Sequence, residues 1–87
     1  MAYVVNKTDG TILARLVDGV VNTTASDLTL IGRNFAGFGE YLNENFVKLL
    51  ENFASTGEPK KPLIGQLWYD KASKTIKVYS GTSFKPI

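Results

Sequence analysis

The 87-residue sequence contains neither cysteine nor histidine. Without cysteine there is no disulfide, no thiolate nucleophile, no iron–sulfur cluster and no cysteine-based zinc site. Without histidine the chain lacks the commonest general base and the commonest ligand of transition metals. Serine–histidine triads, zincins and c-type haem attachment are therefore excluded within this chain, and we expect no cofactor.

Long apolar runs are also missing. No stretch approaches the roughly 20 apolar residues that a membrane-spanning helix needs, and the amino-terminal residues lack the ordering of a signal peptide. We therefore expect no membrane insertion. Hydrophobic residues make up 44% and charged residues 21% of the chain. This is an ordinary globular composition, and it indicates one folded domain covering residues 1–87.

The formal net charge of +2 is unevenly distributed. Residues 1–59 carry four basic and seven acidic groups, whereas residues 60–87 carry six lysines and one acid, Asp70. A basic end is a weak signal for nucleic-acid binding. Because the six basic residues are all lysines, interleaved with strand-forming residues, we interpret them as the solvent-facing side of a sheet. We do not expect nucleic acid as a partner.

The first third of the chain has the pattern of antiparallel strands. Two Asp-Gly pairs, at 9–10 and 18–19, separate runs rich in Val, Ile, Leu and Thr. Asp-Gly favours the type I′ turn of a two-residue hairpin, so the pattern predicts a three-stranded β-meander within residues 1–24. A glycine-rich loop over 25–38 follows. The predicted strands lie at about 3–7, 11–17 and 20–23.

A helix is the clearest element of the sequence. From Phe38 onward apolar residues recur at i, i+3, i+4 and i+7, and Gly57 followed by Pro59 supplies a stop. This predicts a helix over 39–55. Fully burying such side chains is worth about 1.5–3 kcal/mol each, so the helix must lie against a sheet of this chain or against a symmetric neighbour. The candidate assembly interface consists of Tyr41, Leu42, Phe46, Leu49, Leu50 and Phe53.

The remaining residues predict a proline-bounded linker over 56–64, then a β-hairpin and tail over 65–87. The fold class is therefore α+β, with an amino-terminal three-stranded β-meander, one amphipathic helix and a carboxy-terminal β-hairpin. Neighbouring strand residues face opposite sides, so one of Trp68 and Tyr69 belongs to the core and the other is exposed or buried against a partner. The candidate residues for ligand or partner contact are Trp68, Tyr79 and Phe84.

The eight acidic residues offer no catalytic pair. Asp9 and Asp18 belong to turns, the glutamates of the predicted helix lie on its polar side, and Asp70 ends a strand. The glycines before the helix match neither the dinucleotide-binding fingerprint nor the P-loop. We therefore expect no enzymatic activity and no catalytic, cofactor-binding or metal-binding residues.

Several segments carry a resemblance to a known family. The most specific are the helix segment 39–54 and the motif Gly-Gln-Leu-Trp-Tyr-Asp at 65–70, supported by 6–11, 28–34 and 76–84. In order and over nearly the whole chain, they resemble a module in structural and tail-fibre-like proteins of T4-like tailed bacteriophages, including marine phages. The resemblance implies a virion component of a tail fibre or baseplate, assembled in the bacterial host cytoplasm, with no catalytic residues to carry over.

Fibres of this kind are commonly homotrimeric. The resemblance therefore implies a homo-oligomer, with a trimer favoured, and other phage tail proteins as partners. An alternative function is a receptor- or glycan-binding module of a tail fibre, in which exposed aromatic residues near Trp68 and Tyr79 contact host surface sugars. A third and weaker alternative is binding of single-stranded nucleic acid by the lysine-rich end.

Overall fold

The computed structural model describes residues 3–87, which form one helix and seven short strands. The strands are β1 (Tyr3–Asn6), β2 (Ile12–Leu16), β3 (Val21–Asn22), β4 (Leu30–Ile31), β5 (Leu67–Asp70), β6 (Thr75–Tyr79) and β7 (Phe84–Pro86), and the helix is α1 (Phe38–Leu50). Antiparallel pairing gives three small sheets, β1–β2, β3–β4 and β5–β6–β7. The predicted α+β class with a single helix is confirmed.

The first Asp-Gly pair joins β1 to β2 as predicted, but its turn has a different geometry. Gly10 has a φ of 90°, whereas Asp9 is not among the residues with positive φ, so the turn is not type I′. The Gly10 N–H donates to the Lys7 carbonyl at 3.0 Å, as in a type I turn followed by a left-handed glycine. The Asp9 carboxylate accepts the Thr11 N–H and hydroxyl at 2.9 and 2.7 Å, which holds the aspartate in this conformation.

The predicted three-stranded meander is not formed, because β3 pairs with β4 and not with β2. The Gly19 N–H donates to the Arg33 carbonyl at 2.6 Å, and the Gly32 N–H donates to the Val20 carbonyl at 2.8 Å. A Cβ atom at Gly32 would collide with the carbonyl oxygens of Val17 and Val20. Only glycine permits this close approach, so the second turn leads into a separate two-stranded ribbon.

The helix α1 ends at Leu50, five residues earlier than predicted. Asn52 has a φ of 52° and donates its N–H to the Leu49 carbonyl at 3.1 Å, and the Phe53 N–H donates to the Lys48 carbonyl at 2.8 Å. These are the two hydrogen bonds of a Schellman motif. Because asparagine tolerates the left-handed conformation, this motif stops the helix before the predicted Gly-Pro stop is reached.

The carboxy-terminal hairpin and its loop at 71–74 are confirmed, and the predicted tail adds β7 as a third strand. The segment after α1 runs parallel to β5. The Ser55 N–H donates to the Tyr69 carbonyl at 3.2 Å, and the Lys71 N–H donates to the Ser55 carbonyl at 3.0 Å. This pairing connects the end of the helix directly to the carboxy-terminal sheet.

The buried apolar core is small and divided. Among residues 3–87 its buried apolar members are Ala14 and Leu16 of β2 and Trp68 of β5. The accessible surface is 5862 Å², against about 5,050 Å² for a compact chain of this mass. The radius of gyration is 14.0 Å, against about 12 Å for a compact chain of this length. The molecule is elongated, with extents of 42 × 27 × 16 Å.

Candidate assembly surface

The apolar side of α1 lies open to solvent in the single chain. The α1 apolar face consists of Phe38, Leu42, Phe46, Leu49 and Leu50, whose spacing places them on one side of the helix. Their exposed fractions run from 40% at Leu42 to 82% at Leu50. Together they correspond to nearly three whole side chains, on the order of 500 Å². A patch of this size is at the upper end of what monomers expose, and such patches are often functional.

Four of the six predicted interface residues belong to this face. The other two, Tyr41 and Phe53, are half-buried. The Tyr41 ring packs against Phe35, with 5.7 Å between centroids. Phe53 lies beyond the end of α1 in the left-handed conformation, so it does not continue the helical stripe. Phe38, which was not among the predicted interface residues, takes its place and is 59% exposed.

A polar side chain attaches α1 to the rest of the chain. Asn45 is the buried residue of the helix. The Thr29 N–H donates to Asn45 Oδ1 at 2.9 Å, and Asn45 Nδ2 donates to the Thr29 carbonyl at 2.7 Å. One turn further along, Lys48 Nζ donates to the Asp27 carbonyl oxygen at 3.2 Å. Side chains of the helix therefore hydrogen-bond to backbone groups of the loop before β4, and the Asn45 amide makes two of these bonds.

This attachment turns one edge of the apolar face outward, while Phe38, Leu42 and Leu49, within about 60° of Asn45 around the helix axis, border the rest of the chain. Residues follow one another by about 100° around a helix axis, so Phe46 lies about 100° and Leu50 about 140° from Asn45. When Asn45 faces Thr29, these two side chains point to solvent. The position of Asn45 within a polar stretch gave no periodic signal for this orientation, and sequence reasoning did not single it out.

Two open apolar grooves adjoin the α1 apolar face. The first, of about 440 Å³, shares Leu49 with the face, and the second, of about 650 Å³, shares Phe38 and Leu42. Further apolar walls of the first groove come from Leu13, Leu28, Leu30, Phe53 and Leu63. Further walls of the second come from Tyr3, Ile31, Phe35 and Ala36. The face and the grooves therefore form one continuous surface along the helix.

Asp27 fixes the linker that borders the first groove. Its Oδ1 accepts the backbone N–H groups of Lys60 and Lys61, both at 3.1 Å, and its Oδ2 accepts the side-chain amide of Gln66 at 3.0 Å. Gln66 in turn accepts the Leu63 N–H at 3.1 Å. One carboxylate thus joins the loop before β4 to a segment more than 30 residues away. A single aspartate in a polar loop carries no sequence signal for such partners.

The second predicted site is an aromatic cluster on the carboxy-terminal sheet. Trp68 is 3% exposed, its ring lies 5.2 Å from that of Phe84, and its Nε1 donates to Ser55 Oγ at 3.1 Å. The Tyr79 ring lies 5.1 Å from Phe84. The three predicted residues therefore come together. Trp68, however, is the core member of its pair and is not an exposed contact residue; Tyr79 and Phe84 are half-buried.

An ion pair between Lys77 and Asp70 lies beside this cluster. Lys77 Nζ lies 2.9 Å from Asp70 Oδ2 and 5.2 Å from the centroid of the Trp68 ring. Asp70 Oδ1 also accepts the N–H groups of Ala72 and Ser73 at 2.9 and 3.4 Å. These bonds, with the bond from Lys77 first among them, hold the pKa of Asp70 below its ordinary value. This lysine of the basic end therefore has an internal structural role.

Comparison of the chain with protein-family models, with curated proteins and with solved structures gives no match. Within residues 3–87 no helix has both the length and the apolar content to cross a bilayer. In the same part of the chain, no three acidic side chains converge in a way that could hold a metal ion.

Proposed function

We propose that the chain is a non-enzymatic structural component of a tailed-phage virion, a tail-fibre or baseplate module that acts through protein–protein assembly. The observation that carries the assembly role is the α1 apolar face, which meets solvent while Asn45 meets the chain. Leaving side chains of this kind in water costs about 1.5–3 kcal/mol for each that is fully exposed, so the face is stabilised by a partner.

The assignment to a phage virion is supported by the sequence resemblance, above all by the helix segment 39–54 and the Gly-Gln-Leu-Trp-Tyr-Asp motif at 65–70. The proposed partners are copies of this chain, with a trimer favoured, and other phage tail proteins. The proposed location is the virion, after assembly in the cytoplasm of the bacterial host. An elongated subunit suits this role, because it offers a long lateral surface to its neighbours.

An antibody against the purified chain tests the virion assignment. Phage particles that encode the sequence are purified on a density gradient. We expect the chain to sediment with intact tailed particles. We also expect the antibody to label the tail in electron microscopy. The same antibody, preabsorbed with the purified chain, is the control. Recovery of the chain only in the particle-free fraction contradicts the proposal.

The alternative, a receptor- or glycan-binding module, relies on Tyr79 and Phe84, since Trp68 is 3% exposed. The two partly exposed rings, 5.1 Å apart, are large enough to stack against a sugar. Titration of the chain with host surface polysaccharide, followed by NMR, would then shift the signals of both rings. The Tyr79→Ala variant would lose this response, whereas unchanged ring signals in the parent chain rule out the alternative.

A further inference from the structure

We infer that the α1 apolar face is covered by the same face of a second copy of this chain, with the helices related by a symmetry axis. This inference rests on the proposed assembly function and names the partner at this surface. Its basis lies in the surface area of the chain, the side-chain spacing of the face and the charge distribution of α1.

The excess accessible surface of the chain is similar to the area that one protein–protein interface buries on each partner. The accessible surface of 5862 Å² exceeds the value for a compact chain of this mass by about 800 Å². A standard protein–protein interface buries about 800 Å² on each partner. The α1 apolar face and its two grooves supply a continuous apolar region for this contact. One symmetric interface would therefore bring the exposed surface of each chain to the level of a compact protein.

The spacing within the face suits an identical helix. Leu42, Phe46 and Leu49 are separated by four and then three residues, which is the alternation of a coiled-coil seam. On such a seam each side chain inserts between those of the facing helix. A second copy supplies the same side chains at the same spacing, and a rotational symmetry axis brings these equivalent faces together in a dimer or in a trimer.

The charges of α1 permit contact between copies and disfavour a lipid surface. The charged residues of the helix lie on the side opposite the apolar face, so two copies meeting there bring no like charges together. They are Glu40, Glu44 and Lys48, together with Glu51 at the carboxyl-terminal cap. Helices that lie on anionic membranes carry lysine and arginine on the polar side, whereas three of these four residues are glutamates.

Two matched variants test the inference, Leu50→Lys and Val47→Lys. Both place a lysine near the carboxyl end of α1, where a cation is favourable to the helix. Leu50 is 82% exposed on the face, whereas Val47 is 49% exposed outside it, so neither change removes a buried side chain. Molar mass is measured by light scattering across a dilution series of about two decades of concentration. Circular dichroism checks that both variants keep the helix.

We expect the parent chain and Val47→Lys to show the mass of two or more chains. Leu50→Lys should dissociate, with a Kd at least about thirtyfold higher, the effect of a hot-spot residue. A monomeric parent chain at the highest concentration, or Leu50→Lys assembling like the parent, overturns the inference. So does a monomer that sediments with phosphatidylcholine–phosphatidylglycerol vesicles. These outcomes are independent of the virion assignment, which is tested by the presence of the chain in purified particles.

Discussion

Replacing Asn45 by alanine tests whether a single amide sets the orientation of the helix. The substitution removes the hydrogen bonds of 2.9 and 2.7 Å to the Thr29 backbone. At about 0.5–1.5 kcal/mol for each bond, the loss amounts to about 1–3 kcal/mol. Alanine is also the better helix former, by about 0.5 kcal/mol, which partly offsets this loss. Asn43, an exposed asparagine of the same helix, provides the matched control.

The two variants, Asn45→Ala and Asn43→Ala, are compared by urea unfolding under conditions where the parent chain has one oligomeric state. Both gain the same helix propensity, so the difference between their free energies of unfolding isolates the contact with Thr29. We expect Asn45→Ala to be less stable than Asn43→Ala by about 2 kcal/mol. A difference below about 0.5 kcal/mol would show that the amide does not anchor the helix, and the outward orientation of the apolar face would need another cause.

Three further predictions follow from the polar contacts. Asp27→Ala should accelerate hydrogen exchange of the Lys60 and Lys61 amides, as measured by NMR, because both donate to its carboxylate; unchanged exchange would contradict this role. Trp68→Phe keeps an aromatic ring but loses the bond to Ser55 and part of the buried indole, so it should lower the free energy of unfolding by more than about 1 kcal/mol and by less than the loss of about 3–5 kcal/mol expected for Trp68→Ala. Since the pKa of Asp70 is lowered from 3.8, its stabilising effect is complete above that value and is lost as pH falls through the lowered pKa. Asp70→Asn should therefore show a shallower acid limb in pH-dependent unfolding, and an identical limb would refute the ion-pair argument.

The elements that the sequence predicts correctly are those with a local signal. The apolar period of the helix, the turn at Asp9-Gly10 and the hairpin loop at 71–74 all depend on residues close together in the chain. The pairing of β3 with β4 depends instead on Gly32, which lets two backbone segments approach each other. The end of α1 depends on Asn52, whose left-handed conformation competes with a stop signal further along.

Most residues of the candidate surface were predictable from the sequence, but the direction in which the surface faces was not. The stripe of Leu42, Phe46, Leu49 and Leu50 is evident from the sequence, and so is the need to cover it. Which way it points depends on Asn45, whose two hydrogen bonds reach a backbone segment 16 residues away. Periodicity reports apolar residues only, so it does not show that the helix contacts the chain through Asn45, at the edge of the stripe, and that Phe46 and Leu50 therefore point to solvent.

The small sheets account for the uncovered helix. A two-stranded ribbon offers little apolar area, and the pairs β1–β2 and β3–β4 are both of this kind. The three-stranded sheet buries Trp68 against Phe84 and Ser55, and β2 buries Ala14 and Leu16. With its apolar area distributed over these separate clusters, the chain holds its helix largely by hydrogen bonds and leaves the largest apolar stripe exposed. Under the proposal that association covers this stripe, the stability of the fold is expected to rise with the concentration of the partner.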